Sequence, residues 1–200
     1  MSFIGGGFSN YTTGLQSTIG GGYDNTASGA CSTVGGGQNH VSSGVFSTVS
    51  GGNGNIASQD NATVGGGVGN SAISTRSVIS GGQSNTASAY FSAIGGGISN
   101  VTSGNRSTVA GGDTNTASGC FSFVGGGNNN TASGYRAAIV GGLSNNAPGA
   151  NTFIGGGVFH TACNTSTISG GYQNTSSGTI SAIGGGKGNI ASGCFAFIGG

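Results

Sequence analysis

Ser17-Thr18-Ile19-Gly20-Gly21-Gly22-Tyr23-Asp24-Asn25-Thr26-Ala27-Ser28-Gly29-Ala30-Cys31 is one copy of a fifteen-residue unit that fills the chain. The next copy opens at Ser32-Thr33-Val34-Gly35-Gly36-Gly37, and the last runs to Ala196-Phe197-Ile198-Gly199-Gly200. A short fixed period is the mark of a solenoid, in which each repeat is one coil stacked on the last. The expected fold is all-β: a parallel β-solenoid of about thirteen coils of fifteen residues, with two short strands per coil.

Aligned coils give columns whose roles can be read separately. The first holds Ile19, Val34, Val49, Val64, Ile79, Ile94, Val109, Val124, Ile139, Ile154, Ile168 and Ile183, continuing to Ile198. Every member is β-branched and aliphatic, which suits a buried strand position and makes this column the core spine. Two residues earlier stand Ser17, Ser32, Ser47, Ala62 and Ser77, always small and on the same inward face. Between them the Thr18 column varies freely, admitting Val78, Ala93, Phe123 and Phe153, as an outward column should.

A glycine corner follows. Its last two positions, such as Gly21-Gly22 and Gly141-Gly142, are Gly in every complete copy, implying positive φ or very close backbone approach at both. Its first position accepts Ser50, Ser80, Ala110, Val140 and Ser169, so it needs no special dihedral. Next comes Asn10, Asn25, Asn55, Asn70, Asn85, Asn100, Asn115, Asn130, Asn145, Asn174 and Asn189, with His40 and His160 in the two remaining places. Identical amides on stacked coils can bond to one another up and down the stack, so this column is expected to be an Asn ladder. A row of ligand-binding amides is the functional alternative. Ala27, Ala57, Ala72, Ala87, Ala117, Ala132 and Ala147 then mark a second inward column. The Ser-Gly corner at Ser28-Gly29 tolerates Gln59, Ser74 and Ala89 in place of Gly. One coil, Gly155 to Ile168, is a residue short, with the loss near Cys163-Asn164 at this second corner. An inward set of Ser, Ile/Val, Asn and Ala makes a thin core with no room for a ligand cavity.

Composition narrows the function. Glycine is 48 of 200 residues with a single Pro, which excludes collagen, and the strict phase of Ile/Val argues against disorder. Four Lys/Arg against three Asp/Glu give a net charge of +1, leaving no electrostatic footprint for nucleic acid. A surface so poor in charge reads as one covered by copies of itself or by other chains. No run of about twenty apolar residues is present, so no direct membrane insertion is expected. Met1-Ser2-Phe3-Ile4 enters the first repeat directly, and residues 1–200 are expected to form one repeat domain, a fragment of or a unit in a longer fibre. Cys31, Cys120, Cys163 and Cys194 lack metal-ligand spacing and read as scattered small hydrophobes, so neither metal nor cofactor is expected.

The pattern Ile19-Gly20 with Ala27-Ser28-Gly29, repeated at Val34-Gly35 and at Val124-Gly125 with Ala132-Ser133-Gly134, is similar to the head repeats of YadA-like trimeric autotransporter adhesins. That resemblance covers all thirteen coils. It implies a left-handed parallel β-roll, commonly a homotrimer, on an extracellular surface. The chain departs from the family in its longer coil, its extra glycine and its Asn column. It also lacks a neck, stalk or anchor in these residues.

Chemistry-bearing groups do not converge. Gly186-Lys187-Gly188 lacks the Gly-Lys-Ser/Thr of a phosphate loop, and Asp24, Asp60 and Asp113 lie on different coils. No catalytic residue is therefore assigned. After the Ser-Gly corner, however, one column reads Phe46, Arg76, Phe91, Arg106, Phe121, Arg136 and Phe195, a candidate contact ridge suited to packing and cation–π stacking. The expected function is a non-enzymatic structural or adhesive module of an extracellular fibre, at a cell or virion surface. It would present repeated contacts to itself, as homotrimer or head-to-tail filament, and to a host-surface or matrix ligand. A self-assembling filament or virion fibre subunit is the alternative. Ice binding ranks lower, because Val78, Ala93, Phe123, Ala138, Phe153, Ala182 and Phe197 interrupt the threonine array.

Overall fold

The computed structural model describes all 200 residues. The chain is all-β with no helix: a parallel β-solenoid of about thirteen turns of roughly fifteen residues, two short strands per turn. It divides into two compact units, Met1–Ser99 and Asn100–Gly200. No change in the repeat marks that boundary, and the same grammar holds in each unit.

In the first unit the strands Phe3–Ile4, Thr18–Ile19, Thr33–Val34, Thr48–Val49, Thr63–Val64, Val78–Ile79 and Ala93–Ile94 pair in parallel, each with the next. Register is fixed to one coil: Ile19 stands beside Val34, and Val34 beside Val49. A second parallel ladder runs from Tyr11–Thr12 through Thr26–Ala27 and onward to Thr86–Ala87. The second unit repeats both ladders, from Thr108–Val109 to Phe197–Ile198 and from Val101–Thr102 to Ile190–Ala191.

Each strand is only two residues long, and its pattern is half-buried then buried in most coils. Period two explains this: the residue between two inward columns must face out. Ile19, Val34, Val64, Ile79, Val124 and Ile139 are fully buried, as are Ala27, Ala57, Ala117 and Ala132. Burying each Ile or Val contributes about 2 kcal/mol at most, so stability accumulates coil by coil. The small column is buried too, at Ser17, Ser32, Ser47 and Ser77. Small size is common to the column, with Ala62 and Ala137 fully buried in it; the hydroxyls of Ser17, Ser47 and Ser181 donate to the Gly14, Gly44 and Gly178 carbonyls, whereas the Oγ atoms of Ser32 and Ser122 have no partner.

A third ladder was not anticipated from the residues. Phe8, Tyr23, Gln38, Asn53, Val68, Gln83 and Ile98 form successive parallel bridges in the first unit. Asp113, Asn128, Leu143, Val158, Tyr172 and Lys187 do so in the second. Each coil therefore has three lines of backbone contact with its neighbour, not two. The short coil keeps register, with Phe153 beside Thr167 and Ile154 beside Ile168. The deletion is absorbed at the second corner, where Asn164 and Thr165 both take left-handed φ values of 53° and 60°.

Candidate functional site

The inward Asn column is a hydrogen-bond system built around the glycine corner. Asn25 Nδ2 donates to the Gly21 carbonyl of its own coil at 3.1 Å and to the Gly37 carbonyl of the next at 2.9 Å. Asn25 Oδ1 accepts the backbone N–H at position 40, and Asn55 Oδ1 accepts that of Asn70, at 3.0 and 2.9 Å. The second unit is alike: Asn130 Nδ2 reaches Gly126 and Gly142, and its Oδ1 takes the Asn145 N–H at 3.0 Å. Each amide thus fastens two corner carbonyls and one backbone amide. Backbone partners extend the expected amide-to-amide mode of the ladder. Amide-to-amide bonds do form, as from Asn25 to Asn10 and from Asn130 to Asn115, but the recurrent partners are backbone atoms. With the Asn side chains buried and committed to corner carbonyls and backbone amides, the column is a structural staple rather than a display of amides.

His40 and His160 show what the staple requires. Both are fully buried. His40 Nδ1 accepts the Asn55 N–H at 3.0 Å, and His160 Nδ1 accepts the Asn174 N–H at 3.0 Å, the bond Asn Oδ1 makes elsewhere. The proton therefore sits on Nε2, which lies toward the Gly52 carbonyl in His40 and the Gly171 carbonyl in His160 without reaching hydrogen-bond geometry. Burial pushes both imidazoles below their ordinary range, with the carbonyls offsetting part of that effect. Both rings are neutral at pH 7.

The glycines that the staple spans have separable duties. At Gly127 φ is 84°, and a Cβ would strike the Gly142 carbonyl oxygen and stand 2.7 Å from its nitrogen and 2.8 Å from Asn130 Nδ2. Dihedral and close approach both demand Gly there. At Gly126 a Cβ would meet nothing within 4 Å. Close approach therefore does not explain this middle glycine; its φ of 158° does, the other of the two expected grounds.

The outward ridge is where side chains are left accessible. Phe46, Phe91, Phe121 and Phe195 are exposed, and so are Arg76, Arg106 and Arg136. In the first unit Arg76 lies over the Phe91 ring at 4.9 Å, and its Nη1 donates to Tyr90 Oη at 3.1 Å. In the second, Arg106 lies over Phe121 at 5.3 Å and Arg136 over Tyr135 at 4.8 Å. Tyr90 and Tyr135, from the neighbouring column, complete these clusters and were not singled out from the sequence. Their signal was present, as each directly precedes a ridge residue.

Backbone conformation at the ridge was also missed. Phe46, Arg76, Phe91, Arg106, Phe121, Arg136 and Phe195 all have φ between 54° and 59°. Each such left-handed residue costs of order 1 kcal/mol relative to Gly. Asn61 and Asn151 hold the same position with φ of 57° and 54°, so the corner accepts a residue better suited to it. All four cysteines are free, with Cys120 and Cys194 exposed. No model of a known protein family matches the chain, and no curated protein matches it.

Proposed function

We propose that the chain is a non-enzymatic structural and adhesive module of an extracellular surface fibre. Its backbone ladders would serve as scaffold and its exposed ridge as contact surface. The observation that carries this reading is the division of labour between faces. Buried Ser, Asn and His are spent inside the coil, whereas all four Lys and Arg side chains and many of the aromatic rings stand outside. A contact repeated along coils gains strength from multivalency. The similarity of Ile19-Gly20 and Ala27-Ser28-Gly29 to YadA-like head repeats supports the same reading. Self-association, as a homotrimer or a head-to-tail filament, belongs to the proposal because so few charges keep copies apart.

Beads coated with the protein should adhere to cell or matrix surfaces more than beads coated with the Phe91→Asn/Phe121→Asn/Arg106→Gln/Arg136→Gln variant. Equal adhesion of the two, or none, would overturn the adhesive part. Sedimentation of the protein in solution reads the self-association part, where a monomer at all concentrations would remove it.

A further inference from the structure

We infer that Arg106, Phe121 and Arg136, flanked by Tyr135, form a binding stripe for an acidic polysaccharide that carries its anionic group on every second sugar. This deepens the adhesive reading by giving its contact surface a ligand class. The three ridge residues come from successive coils in one register, as the pairs Thr108–Phe123 and Phe123–Ala138 show. Successive coils lie about 4.8 Å apart, so the backbones at the two arginines stand roughly 10 Å apart with the Phe121 coil between them. A pyranose unit advances its chain by close to one coil spacing. An alternation of uronate or sulfated sugar with neutral sugar therefore matches the alternation of Arg, Phe and Arg. The guanidinium forks would take the carboxylates or sulfates, and the C–H groups of the intervening sugar would pack against the exposed edge of Phe121, whose ring already contacts Arg106 and Tyr135.

Three further observations support a ligand here. The ridge backbone is pinned, with Phe121 N–H donating to the Asn105 carbonyl and Arg136 N–H to the Cys120 carbonyl, both at 2.9 Å. The rings hold the cations in place, Arg106 over Phe121 and Arg136 over Tyr135, while all four side chains stay exposed. Asp113, the one acidic residue of residues 100–200, sits by the glycine corner and accepts the Thr114 hydroxyl at 2.6 Å. Single-stranded nucleic acid fits less well, since it places a charge on every residue and the chain's net charge is only +1.

The test is titration of the full chain with hyaluronan decasaccharide and unsulfated chondroitin. Polygalacturonate, neutral dextran and oligothymidylate serve as comparisons. Binding of at least one of the first two, more tightly than any comparison, is expected. The Arg106→Gln/Arg136→Gln variant should weaken it at least about tenfold. Phe121→Asn, which suits the backbone, should weaken it without loss of fold by circular dichroism, and Lys187→Gln should leave it unchanged. No binding to either glycan, equal binding to polygalacturonate, tighter binding to oligothymidylate, or insensitivity to the arginine variant would each overturn the proposal. Coated beads that adhere to surfaces but are not displaced by these glycans would sink the glycan assignment and spare the adhesive function. Glycan binding without bead adhesion would do the reverse.

Discussion

A position at each corner of the coil turns through positive φ, yet Gly127 is closed to side chains and Phe121 displays one. At Gly127 φ is 84° and a Cβ would run into Gly142 and Asn130 of the staple. At Phe121 φ is 59°, inside the left-handed region open to L-residues, and the side chain is exposed. Positive φ alone does not force glycine. What forces it is the direction in which the Cβ points: along the stack into the next coil, or away from it. The third glycine of its corner is therefore spent on cohesion, and the ridge position after the Ser-Gly corner is left to carry chemistry.

The widest gap between the corners should appear on adding a methyl group. Gly127→Ala combines backbone strain with overpacking and is expected to destabilise the protein by roughly 4 kcal/mol in urea denaturation. A loss below 1 kcal/mol would mean that the corner is looser than its geometry indicates. Removing the staple comes next. Asn130→Ala leaves the Gly126 carbonyl and the Asn145 N–H without their partner and the Gly142 carbonyl with the Asn128 N–H alone, for an expected loss of about 3 kcal/mol. Asn130→His should cost clearly less, as His40 and His160 already replace Asn in this column.

The imidazoles themselves make the staple sensitive to acid. Their folded-state pKa lies below the unfolded value of 6.5. Between the two values the unfolded chain binds more protons, so stability rises with pH across that window. It is full above the unfolded value and falls as pH drops below it. The His40→Asn/His160→Asn variant should flatten this slope, measured as the urea midpoint between pH 7 and 5. An unchanged slope would remove the histidines as its cause. The smallest effect is expected at the open corner, with the opposite sign. Phe121→Asn should stabilise the protein by about 1 kcal/mol through relief of left-handed strain. Destabilisation would mean that the ring packs on the coil more than its exposure suggests.

Sequence made the inward columns legible because burial restricts residue type. Ile19 and Val34 must be apolar, Ala27 and Ser17 must be small, and each column shows it in every coil. What stayed hidden involves groups that leave no trace in side-chain identity. The Phe8–Tyr23–Gln38–Asn53 ladder bonds through backbone while its side chains face outward, so its composition is free. The Asn column announced itself, but not whether its partner was another amide or a glycine carbonyl, since both satisfy the same donors. At the ridge, Gly or Asn would have advertised left-handed φ, whereas Phe and Arg concealed it. The aromatic clusters with Tyr90 and Tyr135 required knowing how one coil's corner faces the next.

Residue-resolved amide hydrogen exchange tests the stapled coil most directly. Slow exchange is expected to recur every fifteen residues, with the backbone N–H of Asn70, Asn130 and Asn145 protected although each bonds to a side chain. The Asn130→Ala variant should release Asn145 selectively. Rapid exchange at the Asn amides while amides bonded to backbone carbonyls, such as Thr18 and Gly20, stay protected would contradict the staple, and protection at any other period would contradict the coil.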